Sequence, residues 1–277
     1  MKPEPAMNSF PAFDACLPEL NQFILGLKDA YRSGHITSWD ELELSVQGFF
    51  TPERMADMEK LVPGWQKMAS FREGVTLTHV LCVFLGLVLL PEFENLAPYQ
   101  QQLAKWIVLF HDLEKEIIPG QRDYTHGFRS AARAAHILPA LGFHAPASPE
   151  QVADWAGLTE SAKIKDPSHS DYIQDNSRLP TILTGLEHMY GINTAETLIV
   201  KGALLHMSVN VVKAWPQAAP LTNAELKQYI DAEFLPLLRA MCLADNEGWV
   251  MFEPEVRGLQ RNDTLEAFQA ITRLITP

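Results

Sequence analysis

Cysteine is scarce. Cys16, Cys82 and Cys242 are the only three in 277 residues, lie far apart and form no CxxC pair. That argues against a disulfide scaffold and for a reducing compartment, which we read as cytoplasmic. Long apolar runs are missing too. The most apolar stretch, Val80 to Leu90, is eleven residues long, too short to cross a bilayer. The opening MKPEPAMNSFPAFDA carries acids and prolines but no apolar core of the kind a secretion signal needs. Positive charge is in deficit, with 22 Lys plus Arg against 34 Asp plus Glu and a net charge of -12. Bulk nucleic-acid binding runs on clustered cations and is disfavoured on that ground. A small phosphorylated substrate held by a few local cations remains compatible. Period-two alternation is almost absent, which leaves little room for a sheet.

What is present is apolar and helical. The hydrophobic share of 47% is enough for a sizeable core and excludes a wholly disordered chain. Capping boxes are written at Ser38 with Glu41, Ser148 with Gln151 and Thr222 with Glu225; Thr51 before Pro52 is a further helix start. Leu17, Leu20, Phe23, Ile24, Leu27 and Tyr31 form a 3.6-residue stripe closed by Gly34. Helices are expected near 14–32, 39–48, 53–69, 76–90, 97–117, 125–141, 150–156, 179–190, 194–214, 223–242 and 264–275. The fold class is all-α. Residues 157–180 are polar, contain two prolines and lack an apolar stripe, so they read as a loop excursion.

The sharpest chemical feature is WIVLFHDLEKE at 106–116. His111 and Asp112 follow five apolar or aromatic residues. A buried His–Asp pair without a partner costs several kcal/mol of desolvation, roughly, and a divalent cation removes that cost. Five basic and four acidic residues lie between Lys105 and Ala135, so this stretch is slightly basic inside an acidic chain. Arg129 and Arg133 stand three and seven residues after His126, on one helical face that can cradle an anion or form ordinary surface pairs.

The run His111-Asp112-Leu113-Glu114-Lys115, then Asp123, His126, Ser130, Ala131, Ala134, Ile137 and Leu138, resembles the HD-domain superfamily. The match covers 76–141 well and 194–247 loosely. The resemblance implies an all-helical bundle that binds metal through a His, the HD pair and a later Asp. On this chain those are His79, 32 residues before His111, then His111, Asp112 and Asp245. His126 and His206 fit the order of the extra ligands that hold a second ion. The implied cofactor is one or two divalent ions drawn from Fe, Mn, Zn, Ni, Co or Mg. Lys115 would contact a substrate anion, with Asp112 and Lys115 as catalytic residues and Lys115, Arg129 and Arg133 as substrate-binding ones. Glu114 is a weaker candidate for orienting water, and His188 competes with His206. Lys163 and Lys165 would close over a substrate.

The expected activity is metal-dependent hydrolysis of a phosphate mono- or diester, nucleotide-like. Two alternatives use the same resemblance: a di-iron oxygenase and a non-catalytic signalling module. The Gly-Tyr-Pro stretch and paired HHE of the cyclic-dinucleotide phosphodiesterases are missing, since His206 is followed by Met207 and Ser208. Residues 1–70 are expected to be a helical extension that covers the core or mediates self-association as a homo-oligomer. Residues 71–277 are expected to form the metal-binding domain.

Overall fold

A computed structural model describes residues 10–70, 75–117, 122–166, 171–212 and 220–276. The expected all-α class holds. The helices are α1 (Phe13–Cys16), α2 (Pro18–Arg32), α3 (Trp39–Phe49), α4 (Pro52–Leu61), α5 (Trp65–Ser70), α6 (Val75–Leu89) and α7 (Pro91–Glu94). Then come α8 (Pro98–Phe110), α9 (His126–Ile137), α10 (Pro149–Ser161), α11 (Leu179–Tyr190) and α12 (Ala195–Leu205). The last are α13 (Asn223–Tyr229), α14 (Phe234–Trp249) and α15 (Pro254–Ile275). None in the described residues is long and apolar enough to cross a membrane.

Local chemistry sets many of these starts. Ser38, Thr51, Ser148 and Thr222 each accept the backbone N–H three residues on, from Glu41, Arg54, Gln151 and Glu225. The excursion is not a plain loop. α10 runs into it as far as Ser161, and β1 (Lys163–Lys165) pairs antiparallel with β2 (Tyr172–Gln174). Lys163 lies opposite Gln174 in that register, and Ile164 opposite Ile173.

α6 is buried on every side from Thr76 to Val88, so it runs through the centre of the bundle. Helix α14 lies along it, α12 packs on both α8 and α9, and α2, α3 and α5 cover α6 from the N-terminal side. Two close approaches fix the central spacing. A Cβ on Gly248 of α14 would lie 2.9 Å from Val83 Cγ2 of α6. A Cβ on Gly202 of α12 would lie 2.7 Å from Ile107 Cγ2 of α8. Both contacts are too short for any side chain, and each holds together two helices that carry site residues.

Two apolar helices end earlier than their composition suggests. α8 stops at Phe110 rather than 117, and α12 at Leu205 rather than 214. Beyond each end the chain tightens into i→i−3 bonds, Leu113 N–H to Phe110 O and Ser208 N–H to Leu205 O. The residue at each turning point is a histidine, His111 or His206.

Candidate metal centre

The structure brings six predicted ligands into one buried cluster. They form two groups, His79 with His111 and Asp245, and Asp112 with His126 and His206. The elements that position them are unrelated in sequence. His79 lies within α6 and Asp245 within α14; His111 and His206 cap α8 and α12; His126 opens α9. The C-terminal ends of α8 and α12 therefore meet at the cluster, and the negative ends of their dipoles favour a cation there.

Asp112 joins the two groups. Its Oδ2 lies 3.5 Å from His79 Nε2 and 3.6 Å from His111 Nε2. Its Oδ1 lies 2.9 Å from His126 Nε2 and 3.8 Å from His206 Nε2. Asp245 Oδ1 approaches His79 Nε2 at 3.0 Å and His111 Nε2 at 3.6 Å.

Three imidazoles have their orientation set by a carbonyl three residues earlier. His111 Nδ1 lies 2.8 Å from Val108 O, His126 Nδ1 2.6 Å from Asp123 O, and His206 Nδ1 2.7 Å from Ala203 O. Each Nδ1 must donate to its carbonyl, so in the neutral ring the Nε2 lone pair is aimed into the cluster. His126 Nε2 and His206 Nε2 are only 3.1 Å apart. Two lone pairs at that distance, beside a carboxylate oxygen, need a proton or a cation between them. Among the described residues, His111 Nε2 and Asp112 Oδ1 are buried with no hydrogen bond. Mixed imidazole and carboxylate donors with unsatisfied buried atoms fit a divalent transition-metal ion. His79 differs. Its Nδ1 has no hydrogen-bond partner, and its ring stacks on Trp249 at 3.9 Å between centroids.

The electrostatics agree with a cation site. Burial pushes the Asp112 pKa up, but Lys115, His111 and His126 outweigh it and hold the carboxyl well below its usual range. Asp245 is likewise held well below, by His111 and His79 against burial. Burial, with His126 and His111 nearby, pushes His206 down to about 3. Burial also lowers His79. His111 goes the other way: burial lowers it, but Asp112 and Asp245 raise it more. Two carboxylates flanking His111 thus draw a proton where an ion would otherwise sit.

Lys115 Nζ donates to Asp112 Oδ2 at 2.6 Å and lies 5.1 Å from the Trp249 ring centroid. Its pKa is raised, because the attraction of Asp112 and Asp245 exceeds the burial penalty. Both arginines bond to the protein, Arg129 through several donors and Arg133 through Nε. Arg129 binds Asp123, Thr125 and the Glu114 carbonyl, and Arg133 Nε donates to Pro63 O. Glu114 pairs with Lys67 at 3.0 Å and so ties α5 to the end of α8. His188 and His136 are exposed and belong to neither group. Lys163 and Lys165 lie on exposed β1.

Sequence reading missed two neighbours. Trp249 stands one helical turn after Asp245, a spacing that could have flagged it. Gln174, at the end of β2, is 1% exposed and accepts from Ser208 Oγ just beyond His206. No sequence signal marked Gln174, because the hairpin that delivers it was not expected. No known protein family, curated protein or solved structure matches the chain.

Proposed function

We propose that the cluster is a two-ion metal centre and that the protein is a metal-dependent phosphohydrolase acting on a phosphate mono- or diester. The observation that carries this reading is Asp112, whose Oδ2 faces His79 and His111 of one triad while its Oδ1 faces its own partners His126 and His206. The resemblance of the 111–138 run to the HD-domain superfamily supports it. His79, His111 and Asp245 would hold one ion and His126 and His206 the other, with Asp112 shared.

Bound divalent ions supply Lewis acidity for a phosphoryl oxygen and lower the pKa of water toward neutrality. The chain's own residues do the rest. Lys115 uses one N–H on Asp112, which leaves two donors for a substrate oxygen. The carbonyls of Val108, Asp123 and Ala203 lock three imidazoles in the ligating tautomer before any ion arrives. Asp245, with its side chain 20% exposed, and Lys115 at 19% form the edge open to solvent, where substrate enters. The other ligands are sealed from bulk water, which strengthens each electrostatic contact inside.

The test is elemental analysis of the gently purified protein together with release of phosphate or monoester from model esters. About two ions per chain and metal-dependent ester cleavage are expected. A second reading is favoured by the same bridging carboxylate, since a di-iron oxygenase needs six protein ligands and this cluster has six. Iron content with turnover that stops without oxygen would select it. Protein that holds no ion and cleaves no ester would leave a non-catalytic module.

A further inference from the structure

Trp249 ends α14 at the solvent edge of the cluster and is 44% exposed. Four further tryptophans, Trp39, Trp65, Trp106 and Trp155, are half-buried or buried. One face of the Trp249 indole is covered by His79, whose ring lies 18° from parallel at 3.9 Å. The exposed part of the indole lies outside that contact. Trp39, the first residue of α3, lies 5° from parallel to Trp249 with centroids 6.2 Å apart. Lys115 Nζ sits 5.1 Å from the same indole centroid and 2.6 Å from Asp112. Two aligned indoles, a cation and the metal ligands thus share one edge of the site.

An exposed indole beside a lysine offers two kinds of recognition at once. Its π face takes a flat ring by stacking, and the ammonium takes an anion. We infer that Trp249 and Trp39 form an aromatic subsite, which selects phosphate esters carrying a planar heteroaromatic ring, such as a nucleoside monophosphate, and directs their phosphate to Lys115. The inference rests on the phosphohydrolase reading for the anion and adds the ring. It also gives the N-terminal helices a part in the site, because Ser38 caps α3 at Trp39 and α3 packs on α6. Trp249 is a specificity residue here, and the ring it holds does not react.

The test compares the methylene phosphonate analogues of AMP and of ribose 5-phosphate. They share anion and sugar and resist hydrolysis. Binding to the metal-loaded full chain is measured by calorimetry. The adenine-bearing ligand should bind about 5- to 150-fold tighter, the range expected of one base stacked on an aromatic side chain. Trp249→Ala should bring that ratio close to one at matched metal content. Trp249→Phe should keep most of it, and Trp39→Ala should lower it by a smaller factor. Should Trp249→Ala not fold, the Phe and Trp39 variants decide, and an unchanged ratio in Trp39→Ala would overturn the two-ring subsite. A wild-type ratio near one, or a ratio that survives Trp249→Ala, overturns the inference while leaving the hydrolase reading intact. Ring-selective binding lost in Trp249→Ala, with no ester cleaved under any metal, sinks the hydrolase reading and leaves the subsite standing. Failure of both ligands to bind overturns the subsite, while cleavage of model esters still decides the hydrolase reading.

Discussion

The two triads are built to different standards. Asp112, His126 and His206 are each no more than 3% exposed, and both imidazoles are locked by carbonyls. Their three inward atoms are all acceptors, so the group cannot satisfy itself without a cation or a proton. His79, His111 and Asp245 are looser. Asp245 reaches the solvent edge, His79 has no carbonyl on Nδ1, and at 3.0 Å its Nε2–H can donate to Asp245. This triad can close on itself by hydrogen bonding when no ion is present. On the two-ion reading the difference separates two jobs: the sealed triad would retain an ion, and the open one would adapt to what arrives from solvent.

The most damaging change is the one that removes the shared ligand. Asp112→Ala should strip metal from both triads and bring ester cleavage to background, read by elemental analysis and turnover together. Full metal content with full activity in that variant would end the metal-centre reading.

Next comes the spacing of the helices. Gly202→Val forces a branched side chain into Ile107 and should destabilise the fold by about 1–3 kcal/mol, the usual scale for overpacking. It should also push α12, and His206 with it, away from α8. Thermal unfolding and metal content measure the two effects, and a normal sealed-site occupancy would refute the link.

Single-ligand variants sharpen the contrast itself. His206→Ala should empty only the sealed triad and Asp245→Ala only the open one. Each should weaken its own ion by more than the roughly 10- to 100-fold typical of outer-shell partners. Equal loss from both triads in either variant would mean that they are not separable.

A smaller effect is expected from pH. Burial lowers His111 but Asp112 and Asp245 raise it more, so a proton competes with metal there up to a higher pH than at His206, which burial pushes down to about 3. Affinity at the open triad should therefore rise with pH, and the fall on acidification should come there first. Proton release on binding, measured in buffers of different ionisation enthalpy, checks the sign.

The smallest effect concerns thiols. Burial pushes Cys82 up to about 12 and Cys242 higher still, while Cys16 is raised but partly exposed. In folded protein a thiol reagent should modify Cys16 alone. Cys82 and Cys242 lie one turn from His79 and Asp245, so their reaction after metal removal would show that the open triad loosens the packing of α6 on α14.

Much of the helical frame was legible because it is written locally. Apolar runs mark α6, α8, α12 and α14, and Ser38, Ser148 and Thr222 cap where their spacing says. Helix ends were less legible. The apolar run does stop at His111, but the HDLEKE that follows is itself good helix sequence, and past His206 the chain stays apolar, so neither turn is marked by composition. The break between α13 and α14 was hidden too, although Asp231 Oδ1 accepts from Glu233 and Phe234 N–H and starts α14. The first half of α15 is polar and opens on Pro254, so it offered no stripe. The strands are three residues each, too short for alternation to show. In the site, the order of six ligands could be read along the chain. The bridging position of Asp112 and the stack of Trp39, Trp249 and His79 could not, because they depend on how closely α6 meets α14 at Gly248.

The contact of Lys115 with Asp112 has a consequence in formal charge. With neutral imidazoles, Asp112 and Asp245 carry two negative charges and Lys115 one positive, so the ion-free centre is at −1. One divalent ion turns it to +1 and two turn it to +3. Loading therefore reverses the sign of the centre inside a chain of net charge -12. On the phosphohydrolase reading, an anionic ester would therefore be drawn to this edge of an acidic chain only once the ions were in place.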